Sequence, residues 1–377
     1  MLTSQNLYVR RARGATRWVV GLVFIFSGLI KANDPLGLSY KMQEFFEAWH
    51  LHGFETYTLP LSLCMNVFEV VAGVAILVAW QMRLFSWLLL LLIIFFAFLT
   101  GYAVLHPEQI KTCGCFGDCL PLTPTQSFFK DLGLLILILL IFLERKKIVS
   151  ALRPGVARAI LFCSFAMVCI FQWYVLTYLP VIDCLPYKKG NNLASELARD
   201  KAARPDSFAI TFQYRKNGKT VAFDQDHLPV GMDSSYEFVG RYDRLVKGGE
   251  NRTSISDFNL ATAGGIDTTQ AVLAGNRQVW IMVRHIEPGA SWLKQADQII
   301  SAAHKNGWKV LIITSVPEEA GKRFLGSTTL TSDATVMKTA ARANPVYLLV
   351  DKGTILEKVS NPDYRKVLDF FPKTIIR

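Results

Sequence analysis

The chain has 377 residues, 51% of them hydrophobic, and a mean hydropathy of +0.28, too apolar for an ordinary soluble protein of this length. Its formal net charge of +11 divides almost evenly, +5 up to Pro180 and +6 beyond it. Basic residues gather at the ends of apolar runs in the first part and alternate with acids in the second, which argues against a nucleic-acid footprint.

Long apolar runs stop at Pro180, and from Val181 onward charged, Gly and Pro residues occur at ordinary globular density. A membrane half followed by a soluble half is expected. The apolar segments are Trp18 to Ile30, Leu61 to Trp80, Leu84 to Leu105, Leu132 to Leu143 and Ala157 to Leu179. The first extends through Ala15 and Lys31 and the fourth through Phe128, which brings both near the roughly 20 residues that cross a bilayer. Five spans are predicted. Arg10, Arg11, Arg13, Arg17, Arg83, Arg145, Lys146, Lys147, Arg153 and Arg158 fall on one side, against Lys31, Lys41, Lys111 and Lys130 on the other. The richer side is the cytoplasm, so the N-terminus is cytoplasmic and an odd number of spans sends the C-terminal half outside. "KANDP" after Ile30 offers no small-x-small cleavage site, so the basic start reads as an anchor rather than a signal peptide.

Glu69 stands near the middle of the second span, where an ionisable group is costly and normally faces protein or a cavity. It is a site candidate, for proton or quinone handling or for a structural hydrogen bond to Asn66 or a neighbouring helix. Lys31, at the end of the first span, pairs with Glu69 only if the two helices are offset, and is otherwise expected to snorkel to the outer interface. Lys130 and Asp131 open the fourth span and read as helix-capping residues that also lie near enough to tune thiols.

Four of the seven cysteines, Cys113, Cys115, Cys119 and Cys184, fall in the outer compartment, where disulfides persist. Cys64, Cys163 and Cys169 lie inside spans and read as small buried hydrophobes. Within "CGCFGDC" the glycines let the backbone turn sharply, and a Cys-x-Cys pair closes a small, strained ring that is easily reduced and exchanged. Cys113 and Cys115 are therefore candidate redox residues, with Cys119 as a resolving thiol and Cys184 able to approach. A structural staple from Cys119 to Cys113, Cys115 or Cys184 is the alternative. Metal binding with His50, His52 or His106 matches no familiar ligand spacing, and no metal is expected.

After residues 183–205, which read as a linker, "FAITFQYRKNGKTVAFD" predicts a hairpin turning at Asn217-Gly218. The stretch Ser235 to Thr269 is strand-poor. Then "RQVWIMVR", "GASWLKQADQIISAAHKNG", "WKVLIITS", "SDATVMKTAARA" and "NPVYLLVDKGTILEKV" predict strand, helix, strand, helix and hairpin, closed by a helix from Asp363. That order is thioredoxin-like, with Asn344-Pro345 where such folds carry a cis-proline. No cysteine follows Cys184, so this domain is expected to dock partners rather than exchange thiols. His285 and Glu287, at the place of the missing cysteines, read as solvated surface.

"FSGLIKANDP", the Glu-bearing second span and above all "CGCFGDCLPLTPTQSFFKDLGLLILILL" resemble the DoxX/MauE group of bacterial membrane proteins, in the fused form of Bacteroidetes-type genomes. The resemblance covers Arg17 to about Leu143. It implies a four-helix membrane bundle in the bacterial inner membrane, comparable in layout to quinone-linked disulfide-generating reductases, and a thioredoxin-like or other exported thiol partner. Carried onto this chain, the redox residues are Cys113 and Cys115, with Cys119 behind them; nothing in the sequence points to methylamine. The expected fold class is thus a membrane all-α four-helix bundle (1–150) with a fifth transmembrane helix (151–182), joined through 183–205 to a periplasmic region (206–377) ending in a thioredoxin-like α/β domain (about 276–377). Its expected function is thiol-disulfide or quinone-linked electron transfer through the CGCFGDC loop, an oxidoreductase with quinone as the one cofactor suggested. A non-enzymatic envelope scaffold with a structural disulfide is the alternative, and five spans with one central acid make a poor transporter.

Overall fold

In lipid a backbone meets its hydrogen-bonding needs internally, so each long apolar run becomes a helix. The computed structural model describes residues 2–51, 53–107, 110, 114, 116–150, 152–202, 207–216, 219–224, 236–247, 255, 257–287 and 289–371. Its first part holds α1 (Leu2–Asn33), α2 (Pro35–Ala48), α3 (Thr58–Leu77), α4 (Met82–Leu105), α5 (Pro124–Glu144) and α6 (Pro154–Thr177). All but α2 contain a stretch long and apolar enough to cross a membrane, and these five correspond to the five predicted spans. Residues such as Trp87, Leu91, Phe98, Phe162, Ile170 and Trp173 lie exposed on their outer faces, as lipid contact requires. The chain is a membrane protein with an all-α membrane part.

Helices α1 and α3 cross closely because glycines face each other. A Cβ on Gly73 would stand 2.8 Å from the Gly21 carbonyl oxygen, and one on Gly28 would stand 2.7 Å from Val70. Arg17 closes the far end of this pair by donating to the carbonyls of Ile76 and Leu77, at 3.1 and 2.7 Å, which have no partner inside α3. Helix α5 starts on a capping box between Thr123 and Gln126, so Lys130 and Asp131 sit in its second turn and are not its cap.

Helix α2 was not expected, although "NDP" announces it. Asp34 accepts from the Gly37 amide at 3.0 Å and Pro35 takes the first helical position, where a missing N–H costs nothing. Cys64 and Cys163 are a correction of another kind: both are exposed on the outer faces of their helices and Cys169 is half-buried. A thiol is apolar enough to be solvated by lipid, so a place inside a span does not require burial in protein.

Beyond α6 come α7 (Leu193–Ala202), β1 (Ser207–Lys216), β2 (Lys219–Asp224), β3 (Tyr236–Lys247), α8 (Thr269–Ala274), β4 (Gln278–Val283), α9 (Trp292–Lys305), β5 (Lys309–Thr314), α10 (Pro317–Arg323), β6 (Thr328–Thr331), α11 (Ala334–Ala340), β7 (Val346–Asp351), β8 (Thr354–Ser360) and α12 (Tyr364–Phe370). Strands β1 and β2 form the predicted hairpin, with Lys216 opposite Lys219; the turn residues 217–218 lie outside the described residues. The segment expected to be strand-poor supplies β3, which pairs antiparallel with β1. Its alternation of Tyr236, Phe238 and Tyr242 with Glu237, Arg241 and Asp243 is a period-2 signal masked by many charges.

The second sheet has the order β6-β5-β4-β7-β8, with β4, β5 and β6 parallel and β7 and β8 antiparallel to their neighbours. Every residue of β4 is buried, because helices cover both faces. Trp292, Leu293, Ala296 and Ile299 of α9 and Val367 of α12 pack on one face. Leu193 and Leu197 of α7, Val272 and Leu273 of α8, and Val336 and Met337 of α11 pack on the other. Within the expected linker, α7 is thus an integral layer of this domain. Helix α11 is capped by Asp333, β7 and β8 turn through Lys352 and Gly353 at positive φ, and the Asn344-Pro345 bond is cis.

Candidate functional site

The loop joining α4 to α5 carries the cysteine motif. Cys113 and Cys115 themselves lie outside the described residues, and the Gly114 between them is described. Its φ of +65° is a left-handed conformation natural to glycine, and an added Cβ would stand 3.0 Å from Cγ of Lys41. Three residues on, Gly117 (φ +58°) packs beside Ile30, and Phe116 meets Phe26 with ring centres 5.9 Å apart. Among the pairings left open by the sequence, Cys119 is bonded to Cys184, with the two Cα atoms 4.9 Å apart. The bond joins the loop to the segment that leaves α6.

Glu69 is fully buried. It accepts from Ser27 Oγ at 2.9 Å and is ion-paired with Lys31, itself 3% exposed. Lys31 therefore does not snorkel: the close α1–α3 crossing sets its chain beside Glu69, and its ammonium also lies 4.9 Å from the centre of the Phe96 ring. Asn66 is not the partner of Glu69; it donates to Gln172 of α6 at 3.0 Å. A related arrangement, with its lysine only half-buried, occurs near the cysteine loop. Asp131, also fully buried, accepts from Thr100 Oγ1 at 3.1 Å and pairs with Lys130 at 2.7 Å, and Lys130 lies over the Phe116 ring.

Two cavities meet at the loop. An apolar one lies between α1, α2, α3 and α4, with Phe45, Trp49, Met65 and Phe96 in its wall and Ser27, Lys31, Thr100 and Lys130 as polar groups. Leu61 and Phe95 line it and are also exposed on the outside of the spans, so it opens toward the bilayer. A polar cleft lies between α2, the loop, Cys184 and the residues Lys338 and Arg342 at the end of α11. Gly114 and Lys41 line both.

The sheet domain forms the far wall of the cleft and is held there by charge. Buried Arg342 pairs with Asp34 at the start of α2 (2.8 Å) and with Asp118 of the loop (2.9 Å). Burial pushes the Asp34 carboxyl up, against the pull of Arg342. Lys358 of β8 pairs with Asp183 at 2.7 Å, Lys338 donates to Gln43 at 3.2 Å, and Arg284 donates to Tyr40. None of these docking residues was singled out from the sequence, where isolated charges in a soluble domain carry no mark of their partners. His285 and Glu287 lie 3.7 Å apart and exposed, a surface pair as expected. His52 lies outside the described residues, and among those described no three His, Cys, Asp or Glu residues gather as a metal site.

Two family models match the chain: "Methylamine utilisation protein MauE" over residues 10–144, and "Domain of unknown function (DUF8463)" over residues 208–248. The second falls on the three-stranded sheet β2-β1-β3. No curated protein and no solved structure matches the chain. The first match spans α1 to α5, which contains the buried Lys31–Glu69 pair, the apolar cavity and the cysteine loop. Over residues 10–144, about a third of its length, this membrane chain is similar to the MauE family.

Proposed function

We propose that the chain is a membrane thiol oxidoreductase of the bacterial inner membrane. Cys113 and Cys115 exchange with a cysteine-bearing exported protein on the periplasmic side and pass two electrons to a lipid-soluble acceptor of the quinone class. The observation that carries this reading is the place of Gly114, which lines both the polar cleft and the apolar cavity. The residue between the two cysteines thus borders both a polar cleft suited to a water-borne client and an apolar cavity suited to a lipid-borne acceptor. The bond between Cys119 and Cys184 leaves Cys113 and Cys115 as the exchanging pair and fixes the base of their loop. The sheet domain, which has no cysteine, shapes the outer wall of the client cleft through Lys338 and Arg342.

A second reading, a non-enzymatic envelope scaffold, is favoured by one observation: the Cys119–Cys184 bond staples the loop that the sheet domain grips through Asp118. Mass-spectrometric mapping of disulfides in the membrane-extracted chain, before and after mild reductant, separates the two. Oxidoreduction requires a Cys113–Cys115 bond, or a mixed disulfide with a client, that opens under mild reductant while Cys119–Cys184 persists. Cys113 and Cys115 found as thiols in both samples would refute it, as would full cellular activity of the Cys113→Ser/Cys115→Ser variant.

A further inference from the structure

The tetrapeptide Asp-Cys-Leu-Pro occurs twice in the chain, at residues 118–121 and 183–186, and the disulfide joins the cysteine of one copy to that of the other. Each half-cystine is thus preceded by an aspartate, and each aspartate is held by a cation of the sheet domain. Arg342 holds Asp118 at 2.9 Å, and Lys358 holds Asp183 at 2.7 Å. Both cations are buried. Asp34, the other partner of Arg342, lines one small pocket against the disulfide together with Asp118 and Asp183. Three carboxylates therefore gather around one bond against two buried cations, and Asp118 helps to push the Asp34 carboxyl up. Withdrawing the sheet domain would remove both cations and leave like charges held together by a bond whose Cα atoms lie 4.9 Å apart. The sulfurs are also within reach of solvent: both cysteines are half-buried, and Cys184 lines the polar cleft with Pro121 and Pro186 of the two copies.

We propose that the Cys119–Cys184 bond and the docked sheet domain form one redox latch. The clamp of Arg342 and Lys358 keeps the bond closed through mild reduction, and a strong dithiol reductant that opens it loosens the domain and widens the cleft. The coupling is reciprocal: the factor by which docking stabilises the bond is the factor by which the bond stabilises docking. In the opening step a thiolate of the dithiol attacks Sγ of Cys184, and Cys119 leaves as a thiolate. The second thiol of the reductant then displaces Cys184 and closes the reductant's own disulfide. Its two electrons have reduced the S–S bond, and its two protons end on Cys119 and Cys184. Arg342 and Lys358 act through the aspartates, as positioning residues. The latch uses neither Cys113 nor Cys115 and stands apart from the thiol reading above.

The test uses the full chain in lipid nanodiscs, equilibrated in dithiothreitol redox buffers, with the Cys119–Cys184 bond quantified by mass spectrometry. In Arg342→Met/Lys358→Met the equilibrium constant for reduction should rise about tenfold, a shift of about 30 mV. Adding Asp118→Asn/Asp183→Asn removes the repulsion and should bring the constant back to within about threefold of the parent value, which a merely disordered domain would not do. Reducing the bond in the parent chain should raise hydrogen exchange about tenfold at the start of α2 and over residues 180–186. A constant unchanged by loss of both cations would overturn the latch. So would a combined variant that stays as reducible as the cation variant, or hydrogen exchange that ignores reduction. If the cation variant does not fold, Lys358→Met alone decides: a rise of about threefold supports the latch, and the parent constant overturns it.

Discussion

Arg342 shows how much one side chain holds in this molecule. It is 4% exposed, its guanidinium serves carboxylates from two different membrane-side segments, and it lies 5.3 Å from the centre of the Tyr40 ring. A planar fork with donors on several edges suits that bridging, and a lysine would satisfy one acid at a time. Breaking a buried pair leaves charge without compensation, but Asp118 is 42% exposed and water screens it, so the loss falls below that of a fully buried pair. Arg342→Met should destabilise the docked sheet domain by about 2–3 kcal/mol, read as a lower thermal unfolding midpoint and faster proteolysis after residue 183. Arg342→Lys should recover part of that loss. Neither Asp34 nor Asp118 announces this role, because an acid in a loop reads as solvated until the partner's position is known.

At the scale of elements, the crossing of α1 and α3 decides the membrane site. Lys31 and Glu69 meet because Gly21, Gly28 and Gly73 let two backbones approach, and van der Waals packing rather than hydrophobicity drives helices together in lipid. A leucine at position 73 would meet the backbone oxygen of Gly21 at 2.8 Å, an obstacle with no rotamer to escape into. Gly73→Leu should therefore cost about 3 kcal/mol, the upper range for overpacking, and part the buried ion pair. Gly133→Leu is the internal comparison: that glycine is exposed on α5 with nothing within 4 Å of its Cβ position, and the change should be neutral. Yields of folded monomer and thermal midpoints in detergent report both.

At the scale of the whole molecule, the Cys119–Cys184 bond and the ion pairs at Arg342 and Lys358 bind the sheet domain to the end of the bundle that carries the cysteine loop. The bond closes a separation of 65 residues, for which the free-chain entropy is about 4 kcal/mol. That figure is an upper bound here, since α5 and α6 lie inside the closed segment and stay helical in lipid when the sheet domain unfolds. Cys119→Ser/Cys184→Ser should lower the unfolding temperature of the sheet domain while leaving the helical circular dichroism of the five spans in place. Loss of the helical signal together with the domain would show that the bond holds the bundle itself.

The sequence by itself determined what depends on local pattern. Apolar runs had to become five helices, the strand and helix periods of residues 278–371 had to build a covered sheet, and Glu69 had to face protein because lipid does not solvate a carboxylate. The choice of Cys119–Cys184, the pairing of Lys31 with Glu69, the hydrogen bond from Thr100 to Asp131 and the clasp of Arg342 were decided by tertiary structure. Each joins residues far apart along the chain, and their proximity arises from how helices cross and domains dock, which no local spacing encodes.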